Sequence, residues 1–246
     1  MTDKTLIIAH RGGASIGVVE NTIDAFQKAI NLGVPMAELD VRRTKDKYLV
    51  CHHDQSIGGK YLECLEYAEV LKISNSNGFT VPLLEEVLQL CCGKMNLDIE
   101  LKEEGYEEDV LSLTKKYFRY SEFVIKSFNY ISVTKIKRID PNVKVGLLLE
   151  GEEEEFKRFS IIQKVLEIFP EYKILRSRLD FVSPHYRLLK FGFLIRMRLL
   201  KKEVYVWTVN EEKLLKDLFK IKVDAVITDK PDVAMKVLAR VSGQSN

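Results

Sequence analysis

Leu6-Ile7-Ile8-Ala9-His10-Arg11-Gly12-Gly13 is an apolar run that ends in a histidine, an arginine and two glycines. A short, continuously apolar run of this kind reads as a parallel-type strand covered on both faces. The residues at its mouth suit an anionic oxygen. Arginine offers a planar fork of donors, histidine moves a proton near neutral pH, and glycine lets the backbone approach a ligand closely. The same arrangement, an apolar run closed by charges, recurs at Glu38-Leu39-Asp40, His52-His53-Asp54 and Glu100-Leu101-Lys102.

Working outward, strand-like and helix-like runs alternate along the chain. Strands are expected at Leu6–His10, Ala37–Val41, Leu97–Leu101, Phe123–Ser127, Val145–Leu149, Phe181–Ser183, Val204–Val209 and Ala225–Thr228. Helical periodicity lies between them, at Thr22–Leu32 and Leu83–Cys92 and within Glu107–Tyr117, Tyr130–Ile139, Glu153–Ile168, Arg187–Leu200, Glu211–Phe219 and Val233–Arg240. Such β-α units match the length and order of an α/β fold, the (β/α)8 TIM barrel. A doubly wound open sheet uses the same alternation, so periodicity leaves both open. A further run, Tyr48–His52, follows a polar turn and reads as an antiparallel partner of the strand before it. The stretch 55–80 interrupts the second β-α unit as a small insertion, with a helix-like piece at Cys64–Leu71 and a polar loop at Ser74–Gly78. Residues 1–246 read as one barrel domain.

Of the 246 residues, 46% are hydrophobic and the formal net charge is +2. The pI of about 8.2 is no footprint of nucleic-acid binding, which calls for a strongly basic domain and a clustered basic face. No apolar stretch reaches the length of a membrane span. The first strand starts near Thr5, which leaves no room for a signal peptide. Cys51, Cys64, Cys91 and Cys92 lack zinc-ligand spacing and read as buried thiols in a reducing compartment, so a cytoplasmic location is expected. The acidic run Glu150–Glu155 reads as a solvated helix start. Phe191–Lys202, apolar and basic, reads first as an outer barrel helix, with a membrane surface or a second subunit, as in a homodimer, as the other occupants of that face.

Side chains alternate across a strand, so Glu38 and Asp40 share one face while Leu39 and Val41 point to the covering helices. Glu100 and Lys102 likewise share a face. Carboxylates inside a barrel need a cation or a paired charge. Glu38, Asp40 and Glu100 therefore suggest one hard divalent cation, magnesium ahead of calcium, with ion pairing to Arg11, Arg42 and Lys102 as the alternative. His53 ends its run beside Asp54, which can orient it for general acid–base work. His52 points the other way. Gly13-Ala14-Ser15-Ile16-Gly17 fits a serine-hydrolase pattern, but Ser15 stands too far from its strand for a nucleophile elbow.

These motifs together resemble the glycerophosphodiester phosphodiesterase family. The resemblance rests on His10-Arg11-Gly12, Glu20-Asn21, Glu38-Leu39-Asp40, His53-Asp54 and Glu100-Leu101-Lys102 in that order. It continues through Ser127-Phe128, Val182-Ser183-Pro184-His185-Tyr186, Val206-Trp207-Thr208-Val209-Asn210 and Ile227-Thr228-Asp229-Lys230-Pro231. Val19 stands where the family often has proline, and Gln55-Ser56-Ile57 departs from the family's run after His-Asp. The resemblance implies a barrel that cleaves a small glycerophosphodiester to glycerol 3-phosphate and an alcohol with a divalent cation. Glu38, Asp40 and Glu100 would hold that cation, and Arg11 and Lys102 would bind phosphate oxygens. His10 and His53 would be the acid–base pair, acting through a cyclic phosphate. Trp207 would pack on the glycerol. Phosphoinositide-cleaving phospholipases and a non-catalytic phosphate-binding barrel are the competing readings.

Overall fold

The continuously apolar runs become strands because both of their faces are covered, one by the barrel interior and one by helices. The structure, a computed structural model, describes residues 5–13, 17–150 and 157–243. The strands are β1 (Leu6–Ala9), β2 (Met36–Arg43), β3 (Leu49–Cys51), β4 (Ser56–Ile57), β5 (Lys60–Tyr61), β6 (Asn96–Leu101), β7 (Phe123–Ser127), β8 (Val145–Leu149), β9 (Phe181–Pro184), β10 (Glu203–Val206) and β11 (Ala225–Thr228). The helices are α1 (Ile23–Asn31), α2 (Tyr67–Ser76), α3 (Leu84–Cys91), α4 (Glu107–Tyr117), α5 (Tyr130–Ile139), α6 (Ile161–Ile168), α7 (Glu171–Arg176), α8 (Phe193–Leu199), α9 (Glu212–Lys220) and α10 (Pro231–Val241).

Strand β1 pairs in parallel with both β2 and β11, which closes the eight parallel strands β1, β2 and β6 to β11 into a barrel. This settles the barrel against the open sheet. Strand β3 adds to the rim antiparallel to β2, with Val41 opposite Cys51. Leu39 and Val41 pack outward with Phe26 of α1 and Leu84 and Leu88 of α3. Ile8, Met36, Val124, Leu148, Phe181, Tyr205 and Ile227 fill the interior below the charged residues. The Phe181 ring lies on the backbone of Gly146, where an added Cβ would come within 2.2 Å of it. Thr22 caps α1 by accepting the amide of Ala25.

Several elements depart from the sequence reading. β1 stops at Ala9, and His10–Gly12 turn off as a short 3-10 segment in which Arg11 has φ +51°. Cys64 ends a 3-10 turn, and α2 then runs through Ser76, so the expected polar loop is largely helix, with Val70 buried under the β4–β5 hairpin. The helix expected within Arg187–Leu200 forms only over α8, because Phe191 and Gly192 both take left-handed backbone angles before it. Helix α7 was not foreseen. Cys64 and Cys92 are exposed, and only Cys51 and Cys91 are buried. All of the acidic run Glu150–Glu155 after Glu150, and Ala14-Ser15-Ile16, lie outside the described residues. Among the described residues no helix is long and apolar enough to cross a membrane.

Candidate active site

The strands deliver their charged ends to one rim, the C-terminal rim where barrel enzymes carry their chemistry. A cavity of about 400 Å³ opens there, lined by His10, Arg11, Glu38, His53, Glu100, Lys102, Lys126, Phe128, Leu148, Glu150, Trp207 and Ile227. A larger cavity, about 1110 Å³, lies at the opposite end between Leu6, Tyr205 and Leu238, and none of the candidate residues reaches it.

Glu38 and Asp40 project inward from β2 and Glu100 from β6, all buried. One carboxylate oxygen from each lies within 4.8 Å of the others. Lys102 Nζ sits 2.5 Å from Glu100 Oε1 and 2.9 Å from Asp40 Oδ1. The contact to Asp40 is a close charge pair out of hydrogen-bond alignment, so that buried oxygen lacks a hydrogen-bond partner. Asp40 Oδ2 accepts from Asn21 Nδ2 at 2.8 Å, and its own amide donates back to Asn21 Oδ1. Arg11 Nε stands 3.3 Å from Asp40 Oδ2, while its Nη1 bonds Glu20 at 2.7 Å and its amide bonds Glu38 at 3.0 Å. Arg11 and Lys102 are thus paired with carboxylates. Arg42, considered for the same pairing, turns away to Glu103 and to the carbonyl of His53.

Both candidate histidines are held by a carboxylate at Nδ1, which leaves Nε2 for chemistry. His10 Nδ1 lies 2.7 Å from Asp229 Oδ1, at the end of β11, and Asp229 is itself held by Asn210 at 2.6 Å. His53 Nδ1 lies 2.8 Å from Asp54. His52 does not line the cavity. Trp207 follows β10, donates its indole N–H to the carbonyl of Ser183 at 2.7 Å, and meets the rings of His185 and Phe128 edge-on. Its indole is pinned, with one side forming the cavity wall.

The sequence reading missed Asp98 and Lys126, and it gave no role to Asn210 and Asp229, although both stand in motifs that carry the family resemblance. Asp98 sits two residues before Glu100 and so faces the interior too, where Lys126 of β7 meets it at 2.8 Å. Lys126 also comes within 3.8 Å of Glu38. The signals were the i, i+2 spacing of Asp98 and Glu100 and a lone lysine in the middle of an otherwise apolar strand.

Burial raises the Glu38 carboxyl, and the nearby Asp40 charge adds to this. Glu100 rises for the same reasons despite Lys102. Burial also opposes the Asp40 carboxylate, but Lys102 and Arg11 outweigh it and hold the group below its usual range. Burial works against the His10 imidazolium, yet the Asp229 hydrogen bond and the Glu38 charge carry His10 above its ordinary value. Burial, with Lys102 beside it, lowers His53. In the Asp98–Lys126 pair burial raises the Asp98 carboxyl against the pull of Lys126, while burial disfavours the Lys126 ammonium and the Asp98 and Glu38 charges carry it above its ordinary value. The three carboxylates offer only hard oxygen donors, one oxygen of Asp40 has no hydrogen-bond partner, and burial with mutual repulsion raises Glu38 and Glu100 despite the nearby lysines. That donor set fits a divalent cation such as magnesium or calcium.

Residues 10–233 match the model of the Glycerophosphoryl diester phosphodiesterase family. The glycerophosphodiester phosphodiesterase of Caldanaerobacter subterraneus subsp. tengcongensis is 29% identical over 96% of this chain and 99% of its own length. A glycerophosphodiester phosphodiesterase of Bacillus subtilis is 27% identical over 96% of this chain and 87% of its own. The solved glycerophosphodiester phosphodiesterase of Parabacteroides distasonis superimposes with a TM-score of 0.81 at 26% identity, over 98% of this chain and 100% of that one. With its barrel closed and the ordered motifs gathered at one rim, the chain belongs to the glycerophosphoryl diester phosphodiesterase family, whose members are phosphoric diester hydrolases.

Proposed function

We propose that this protein hydrolyses small glycerophosphodiesters to sn-glycerol 3-phosphate and an alcohol. The reading is carried by one observation: two carboxylate-held histidines, His10 and His53, line the same cavity as the Glu38–Asp40–Glu100 cluster. A divalent cation held by Glu38, Asp40 and Glu100, magnesium ahead of calcium, would supply Lewis-acid polarisation of a phosphate oxygen.

The chain's own residues account for the rest. Arg11 and Lys102, whose partners in the structure are carboxylates, would turn part of their donor capacity to the phosphate oxygens once those carboxylates have a cation to neutralise them. Trp207 would lie along the glycerol carbons. One imidazole Nε2 takes the proton from the glycerol hydroxyl next to the phosphate, and the other gives a proton to the departing alkoxide. That hydroxyl oxygen would bond to phosphorus as the bond from phosphorus to the departing alcohol breaks, giving a cyclic phosphate that water opens with the proton transfers reversed. Asp229 and Asp54 fix the tautomers that leave each Nε2 available. Residues 1–246 would act as one barrel domain, with 55–80 as a small insertion beside His53.

The test is release of glycerol 3-phosphate from glycerophosphocholine, with and without chelator, and from its 2-deoxy analogue. Turnover that chelator abolishes and magnesium restores supports the reading. Equal turnover of the deoxy analogue would sink the cyclising step and leave direct attack by water. No release from any glycerophosphodiester removes the proposal.

A further inference from the structure

Residues 187–202 carry six basic side chains and no acidic one. Phe193 and Met197 bury the inner face of α8 in the barrel's outer layer. Ile195 and Leu199, one helical step apart, lie on the outer face, 63% and 78% exposed. Phe191, just ahead of the helix, is 72% exposed. Its backbone has φ +50°, followed by Gly192 at +68°. That left-handed conformation is costly for a bulky side chain, and here it holds an aromatic ring out in water. No carboxylate among the described residues pairs with Lys190, Lys201 or Lys202. Arg196 ties α8 to its neighbours, bonding Glu171 of α7 at 2.5 Å and the carbonyl of Ile168 at the end of α6 at 2.7 Å. Helix α6 buries none of its own side chains and exposes Ile161 and Ile162. Glu167 of α6 accepts the amide of Glu150, a residue of the active-site wall.

We infer that this face docks the protein on an anionic lipid surface, with Phe191, Ile195 and Leu199 entering the interface and Lys190, Lys201 and Lys202 meeting lipid phosphates. An apolar ridge flanked by lysines is the pattern of an interfacial helix. Charge decides the occupant. Across an isologous dimer interface the basic segment would face its own copy, like charge against like. An anionic bilayer answers both the apolar and the basic parts. Docking here requires no hydrolysis, so it stands or falls apart from the activity proposed above.

The experiment is co-sedimentation of the full chain with vesicles of phosphatidylcholine, with and without phosphatidylglycerol. Partitioning at least about tenfold stronger onto the anionic vesicles is expected. Phe191→Ser combined with Leu199→Ser should lower it about tenfold or more. Lys201→Gln and Lys202→Gln should each lower it about fivefold, as should added salt in proportion. Circular dichroism and unchanged turnover of a soluble substrate establish that the variants fold. Equal partitioning onto both vesicle types, or undiminished binding by the variants, overturns the inference. So does a dimer in sedimentation velocity that Leu199→Ser dissociates while vesicles go unbound.

Discussion

Lys126 Nζ lies 2.8 Å from Asp98 Oδ2, and both side chains are shut inside the barrel beneath the three carboxylates. Breaking a buried ion pair leaves an uncompensated charge, which costs about 3–5 kcal/mol, whereas removing both partners costs much less. Lys126→Met should therefore destabilise strongly, and Asp98→Asn with Lys126→Met should recover most of the loss. Urea denaturation of the two single variants and the double variant measures the coupling. Additive losses would show that the pair carries no mutual stabilisation.

His10→Ala and His53→Ala should each lower turnover by about 10²–10⁴-fold, the usual range for a general acid or base. His52→Ala should change it little, because that ring does not line the cavity. Asp229→Asn should behave as a milder His10 variant, since it leaves the ring in place but weakens its orientation. Steady-state kinetics at saturating metal distinguishes these cases. A large loss at His52 with none at His53 would reverse the assignment.

Magnesium should raise the melting temperature of the wild-type protein and not that of Glu38→Gln or Glu100→Gln. A ligand that binds only the native state adds about 2.7 kcal/mol at a hundred times its dissociation constant. Differential scanning fluorimetry with increasing magnesium, followed by chelation, reads this without any assay of activity. An equal shift in all three proteins places the cation elsewhere.

Much of this site was legible because strand alternation is a strong constraint. Glu38 with Asp40, and Glu100 with Lys102, fell on shared faces by spacing alone, and the antiparallel run beside β2 followed from its polar turn. Asp98 obeyed the same rule and was passed over because its partner, Lys126, comes from another strand. Pairing between strands is a tertiary fact that spacing within one strand does not encode. Asp229 stood in a legible motif, but its role did not show for the same reason: its contact to His10 spans the barrel closure. The α8 start failed differently. Apolar periodicity extended through Phe191, but a left-handed pair of residues interrupts the helix there.

His185 should make the protein acid-labile. Burial, with Arg187 nearby, pushes its pKa down to about 4. The unfolded chain takes up that proton at its ordinary value of 6.5, so between these values the unfolded state binds more protons than the native one. Stability from this group is complete above the unfolded value and is lost as the pH falls toward the native one. His185→Gln should flatten the dependence of melting temperature on pH across that window. An unchanged slope would assign the acid sensitivity to other groups.

Gly146→Ala should be strongly destabilising although the backbone there is an ordinary strand, because the new Cβ would meet the Phe181 ring at 2.2 Å. Overpacking of this kind costs about 1–3 kcal/mol or more. Adding Phe181→Leu should relieve part of it, as thermal melts of the single and double variants will show.

His10 and Asp229 are 219 residues apart in the chain and 2.7 Å apart in the barrel. During synthesis the carboxylate cluster, His53 and Lys102 all leave the ribosome long before the aspartate that orients His10. The three carboxylates come from β2 and β6, early in the chain, yet His10 has no Asp229 partner until β11 takes its place between β10 and β1. Barrel closure and the His10–Asp229 contact therefore form together, and a chain that lacks β11 has neither.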